Sequence, residues 1–267
     1  MKDKKQGVYS DGVLDGVGKD TLSFIENNFK QLAILGVIPF SVEATLWLLL
    51  GENGALDIAA ALVNIAMYAI FAIAVHRYIL LGVHSIIPPL DSRLLLFGLM
   101  VVGENILLGL AMVGLLAPVF LGIISMDGGG RIFVPILFLP FVLSIVFAVL
   151  AITARFLTVF PHIAITPPEK QSISAAFKMS KGLLFPIALR LFALSVPIVG
   201  ASFIFVLIPY LNAVDGAENF GHRLFHFPAA LINFSINYAM VLVFVVLASL
   251  VYRRLTDDLR SNAHQSD

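Results

Sequence analysis

No cysteine occurs in the 267 residues. That absence excludes disulfides, thiolate metal sites and cysteine nucleophiles together. Charge is also scarce: Asp, Glu, Lys and Arg supply 13% of the chain, against roughly 25% in soluble domains. The chain also lacks HExxH, GxSxG, a Walker phosphate loop and GxGxxG, so the common signatures of zinc hydrolases, serine hydrolases and nucleotide enzymes are missing. The reading is therefore against an enzyme and against any cofactor or metal. Equal numbers of acids and bases, 17 each, leave no net charge with which to attract nucleic acid.

What the chain has instead is apolar residues, 59% of the total, gathered into long blocks with short polar pieces between them. A bilayer core of about 30 Å is crossed by a helix of about 20 apolar residues. Six stretches qualify: 32–50, 56–75, 94–116, 133–154, 183–207 and 228–252. The third could continue to Ile124, past Pro118. The expected fold class is all-α, a polytopic membrane protein with six transmembrane helices and short interfacial amphipathic helices. Its parts are a cytoplasmic N-terminal segment (1–30), a six-helix transmembrane domain (31–256) and a cytoplasmic tail (257–267).

Basic residues cluster on the cytoplasmic side of membrane proteins, and the expected spans sort them sharply. Of the 17 Lys and Arg residues, all but Arg131 and Arg223 fall on one side, which makes both termini cytoplasmic. Lys2, Lys4, Lys5, Lys19 and Lys30 precede the first span, but no apolar h-region follows the early lysines, so the segment does not read as a cleaved signal. Residues 6–16 read as disordered. Leu22, Ile25 and Phe29 recur at helical spacing and predict an interfacial helix lying flat before the first span.

The stretch 151–190 organises the cytoplasmic side. It leaves a span at Arg155, crosses Pro167 and Pro168, and re-enters with Arg190 already inside the next apolar run. Thr166 and Glu169 have capping-box spacing with Pro167 at the first helical position, which predicts a helix start there. Ile173, Ala176, Phe177 and Ser180 would form its apolar face. Lys170, Lys178 and Lys181 would face anionic headgroups or a docking protein, making this the candidate contact helix, although the same residues read more readily as a plain membrane-lying connector. Arg77 followed by Pro88 and Pro89 resembles Arg155 followed by Pro167 and Pro168, the outline of a weak helical-hairpin repeat.

Arg155 with Pro161, the Ala175-Ala176 helix ending Ser180-Lys181-Gly182, and the HRYILLG segment at 76–82 together resemble a group of poorly characterised bacterial membrane proteins. That group is related to the membrane domain of some glycerophosphodiester phosphodiesterases. The resemblance covers residues 76–82 and 154–190, and Val83 stands where a following acid is expected. It implies a six-span helical protein of the bacterial inner membrane, without the hydrolase domain and so without catalytic residues.

An ionisable residue inside a span costs about 2.5–3.5 kcal/mol on insertion scales and needs a partner or a purpose. Glu104 sits deepest, beside Asn105; Glu43 lies nearer an interface. Arg190, Arg155 and Arg77 are the available counter-charges, so an intramembrane network of Glu104 with Arg77, Arg155 and Arg190 is expected, either as a structural ion pair or as a site for a proton, ion or headgroup. Asn64, Asn105, Asn233 and Asn237 read as interhelical hydrogen-bonding groups. Gly98, Gly103, Gly109 and Gly114 mark the third span as a close-packed central helix. Glu218, His222 and His226 fall at i, i+4 and i+8 in what reads as an outer loop, a weak metal pattern, and 127–131 reads as a flexible outer turn. His76, His84 and His162 gather near the inner face without an evident serine or aspartate partner. The functional expectation is a non-enzymatic scaffold or accessory protein that binds membrane lipids or a protein partner at its cytoplasmic face. The alternative is a small transporter or permease using Glu104.

Overall fold

The computed structural model describes residue 9 and residues 12–50, 54–89, 91–125, 144, 147–149, 151–194, 197 and 220–264. All regular structure among them is helical. In chain order the elements are α1 (Val17–Leu50), α2 (Gly54–Leu81), α3 (Ser92–Ser125), α4 (Phe147–Ile165), a 3-10 turn (Pro168–Lys170), α5 (Ile173–Met179), α6 (Leu184–Leu194) and α7 (Phe220–His264). Five of them contain stretches long and apolar enough to cross a membrane: Val17–Leu46, Ala59–Leu81, Ser92–Ala111, Phe147–Ile165 and Phe234–His264. The fifth stretch expected from the sequence is described only as far as α6, which is too short to span alone.

The helix limits differ from the sequence reading in informative ways. No separate flat helix precedes the first span: α1 runs unbroken from Val17 through Pro39 to Leu50. Continuity avoids a second pair of helix ends, each of which leaves four backbone groups without intrahelical partners. Residues 12–16 form turns rather than a disordered lead. Helix α3 passes through Pro118 to Ser125. Helix α4 does not stop near Ala154 but continues to Ile165, with a turn at Leu157 and Thr158. Its last segment accepts Pro161 because it lies in the first turn of Val159–Ile165, where the missing N–H has no intrahelical partner to lose. The segment expected as a cytoplasmic tail (257–267) is, as far as His264, the end of α7.

Helix α2 is the central element. Ala69, Phe71, Ala72, Ile73, Ala74, Val75 and His76 are consecutively or nearly consecutively buried, so this stretch is enclosed on all sides, whereas Leu62 nearer the other end is exposed. Leu32 and Leu35 of α1, Phe97 and Val101 of α3, Phe156, Phe160 and Ile163 of α4, and Val245 and Val246 of α7 complete this core. A second core joins α4, α6 and α7 through Ala154, Leu157, Ile187, Leu191, Leu247, Val251 and Leu255. The glycine-bearing α3 is peripheral, not central: only 11% of its span is buried, and Leu95, Leu99, Ile106 and Leu110 lie exposed along it. Nothing lies within 4 Å of a Cβ built on Gly103 or Gly109, so those glycines serve no close helix approach. Gly114 has no described surroundings.

The two arginine–proline segments are not alike in structure. Helix α2 ends four residues after Arg77, with Gly82 in the left-handed region (φ 68°) and its N–H returned to the Tyr78 carbonyl at 3.1 Å. Helix α4 runs ten residues past Arg155. The proline pairs therefore follow different helix endings, which weakens the hairpin-repeat reading.

Candidate functional site

One end of the bundle carries most of the described charge. Between α4 and α6 the chain makes a compact turn built from local hydrogen bonds. Gln171 donates through Nε2 to the carbonyls of Ile163 (3.2 Å) and Thr166 (3.0 Å), drawing the 3-10 turn back onto the end of α4. The helix does not begin at Pro167. Thr166 closes α4, its N–H bonded to the His162 carbonyl, and Pro168–Lys170 forms only a single 3-10 turn. The true cap is Ser172, whose hydroxyl accepts from the Ala175 N–H at 3.3 Å. The resulting α5 buries Ala176 and the following Ser180, and half-buries Ile173 and Phe177. The Thr158 hydroxyl donates to the Ala176 carbonyl at 2.8 Å, tying α5 to α4. Lys170, Lys178 and Lys181 are all exposed, although only Lys178 stands on α5 itself.

The N-terminal segment closes over this end. Leu14 and Val17 are buried in the second core, and the Tyr9 hydroxyl donates to the Met179 carbonyl at 2.7 Å. Arg254 near the end of α7 donates to the carbonyls of Val13 (3.3 Å) and Asp15 and pairs with Asp20. Arg190 pairs with Asp15 at 3.3 Å. Arg253 donates to the Ile79 carbonyl near the end of α2. Between α2 and α3, Arg93 holds Asp91 at 2.8 Å, and its guanidinium lowers the Asp91 carboxyl below the ordinary range. Burial raises the Tyr9 phenol above its ordinary value, helped by the nearby Asp258 carboxylate.

The expected intramembrane network is replaced by other pairings. Among the described residues the ion pairs are Arg93–Asp91, Arg190–Asp15 and Arg254–Asp20; Glu104 is in none of them. Its carboxyl instead lies beside the Thr153 side chain of α4 and in electrostatic range of Tyr68 on α2. Arg190 reaches the N-terminal segment because α6 starts at the charged end, leaving Arg190 close to Asp15. Arg77 sits near Asp91 and Arg93 at the foot of α2 and α3, its Nε buried and without a hydrogen-bond partner among the described residues. Arg155 stands two positions after Thr153, and residues two apart on a helix do not share a face. Glu43, given less weight in the sequence, lies beside the Tyr238 side chain across α1 and α7. Tyr238 packs edge-on against Phe40 and Phe71 at 5.8 and 5.6 Å.

The histidines gain partners that the sequence did not reveal. His76 is buried, with Nδ1 2.7 Å from the Ser249 hydroxyl. Ser249 spends its own O–H on the Val245 carbonyl at 2.9 Å, so the imidazole Nδ1–H donates and Oγ accepts. A serine whose proton points away from the histidine is a structural bridge between α2 and α7, not an activated nucleophile. His162 accepts the Ser172 N–H at Nε2 (3.3 Å), which leaves its proton on Nδ1, 3.1 Å from the Tyr252 hydroxyl. It thereby fastens the α4–α5 turn to α7. His84 packs edge-to-face with Tyr78, their ring centres 4.8 Å apart. These pairs join residues 173 and 90 positions apart in sequence, a separation at which local spacing carries no signal.

Asn105 turns to its own helix, donating to the Val101 carbonyl at 2.8 Å, rather than to a neighbour. Asn64 Oδ1 is buried without a partner among the described residues. Residues 220–230 are helical rather than a loop; the side chains of His222, His226 and Asn233, and Glu218 and 127–131 altogether, lie outside the described residues. The architecture is that of a polytopic α-helical membrane protein. Comparison with family models, with curated proteins and with solved structures gives no match for this chain.

Proposed function

We propose that this chain is a six-span protein of the bacterial inner membrane, with both termini cytoplasmic, that serves as a non-enzymatic scaffold or accessory protein. It binds a protein partner or anionic lipid at its cytoplasmic face, in keeping with the resemblance to the membrane domain related to glycerophosphodiester phosphodiesterases. The observation carrying the proposal is the assembled charged end: the N-terminal segment, the α4–α5 turn, the start of α6 and the end of α7 interlock through Tyr9–Met179, Asp15–Arg190 and Arg254–Asp20. Contact between the N-terminal segment and α7 near Arg254 supports a common side for both termini, the arrangement that an even number of crossings produces. Helix α6, starting at the charged end, supplies the beginning of the remaining one. The excess of arginine and lysine at this end is the signature of a cytoplasmic side.

On the assembled end Lys170, Lys178 and Lys181 stay exposed, each adding about 1 kcal/mol of attraction to an anionic surface. The test is native mass spectrometry of protein extracted gently from its own membrane, wild type beside a Lys170→Glu, Lys178→Glu, Lys181→Glu variant. A bound protein or anionic lipid lost from the variant, with insertion unchanged, supports the proposal. Equal retention by both proteins rejects it. A small transporter is the second reading, favoured by the half-buried Glu104 between α2, α3 and α4. It requires that Glu104→Gln alter flux across proteoliposomes without loss of folded protein.

A further inference from the structure

Counted inward from Ser92, Ile165 and Leu81, the charged-end limits of three spans, Glu104, Thr153 and Tyr68 sit at about 18, 18 and 20 Å at the helical rise of 1.5 Å per residue. Three helices thus deliver a carboxyl, a hydroxyl and a phenol to one depth, well inside a bilayer core of about 30 Å. One turn further along α2, on the face of Tyr68, Asn64 offers a buried amide oxygen with no partner among the described residues. Apart from Asp57, near the opposite end of α2, the charged groups and histidines of the packed helices lie nearer the charged end: His76 and Arg77 on α2, Arg155 and His162 on α4, and Arg93 on α3 itself. His76 and His162 are committed to Ser249 and Tyr252, and Arg93 to Asp91.

We infer that Glu104 is a membrane-embedded proton-binding site, its carboxyl kept as the neutral acid by its depth in hydrocarbon, with no arginine paired to it among the described residues to hold it ionised. A carboxylate at this depth without a counter-cation would bear the full cost of a charge in hydrocarbon. A carboxylic acid avoids that cost and has one O–H to donate, which Thr153 Oγ can accept. The site goes beyond the scaffold reading and stands or falls separately from it. Thr153 is a positioning residue, its neighbouring hydroxyl setting the affinity for the proton.

A hydrophobic carbodiimide tests this on the full-length protein in proteoliposomes. The reagent consumes the protonated carboxyl: the acid proton moves to one nitrogen, the carboxyl oxygen bonds the central carbon, and rearrangement leaves a stable N-acylurea that retains every atom of both reactants. Peptide mass mapping should find Glu104 modified at neutral pH, with a rate that falls about tenfold per pH unit once the acid ionises. Thr153→Val should shift the midpoint of that profile, and Thr153→Ser should restore it. Absence of modification at every pH at which the protein stays folded would overturn the inference. So would a rate independent of pH, or protection by sodium at constant pH, since the last makes a metal cation the occupant. Glu104→Gln should abolish the adduct while leaving the melting temperature within a few degrees; should that variant fail to fold, the Thr153 pair still decides the question.

Discussion

Replacing Leu14 by Ala should release the N-terminal segment from the charged end. Leu14 is 3% exposed and packs in the second core with Leu157, Leu191, Val251 and Leu255 among its members. That position is at the end of the bundle, where the competing state is chain in water rather than chain in lipid, so the hydrophobic effect applies at its aqueous strength. Truncating a buried leucine costs about 2–5 kcal/mol. At the low end of that range the opening equilibrium of the segment rises roughly 30-fold. Asp15 provides the contrast. Its side chain is 81% exposed in the pair with Arg190, and exposed pairs contribute about 0.2–1 kcal/mol. The bonds from Arg254 to the Val13 and Asp15 carbonyls remain when the carboxylate is removed. Hydrogen exchange read by mass spectrometry on peptides covering residues 9–20 should therefore accelerate strongly in Leu14→Ala and by less than about fivefold in Asp15→Asn. Equal acceleration in the two variants would refute the claim that apolar burial, not charge, holds the segment down.

Other consequences concern the turn and the N-terminal segment. Ser172→Ala should remove the cap of α5 at a cost of about 1 kcal/mol, seen as faster exchange of the Ala175 amide; unchanged exchange would mean the Gln171 bonds alone order the turn. Gly182 adopts φ 86° between α5 and α6, so Gly182→Ala should cost about 1–2 kcal/mol and lower the thermal midpoint, whereas Gly103→Ala, in open space, should not. Docking of Tyr9 should depend on alkaline pH. Its folded pKa is raised, so its contribution is complete below the ordinary tyrosine value of about 10 and is lost as pH rises through the higher folded value. Exchange of the segment should accelerate there, and Tyr9→Phe should remove that pH dependence.

Helical class and membrane character were legible because both follow from additive properties of consecutive residues: apolar length against bilayer thickness. The basic residues also carried real positional information. Arg93, Arg190, Arg253 and Arg254, grouped by the sequence on one side, meet partners at one end of the bundle. The apolar face of α5 was readable for the same local reason, since Ala176 and Ser180 recur one turn apart and are both buried. Its starting point was misplaced because two capping signals lie six residues apart. The choice between Thr166 and Ser172 falls to Gln171, whose bonds to Ile163 and Thr166 commit the first to ending α4.

By itself, then, the sequence determined that this is a chain of apolar helices with one charged side, because helix formation and bilayer insertion respond to local composition. Tertiary structure alone decided which helix is central and which groups meet. Glu104 faces Thr153 and Tyr68 instead of arginine, His76 bridges to Ser249 across 173 positions, and Arg190 is drawn to Asp15. The physical reason is that the partner of a polar group is set by helix rotation and depth. An apolar stripe broad enough to meet lipid on one side and protein on the other leaves that rotation open until the helices pack.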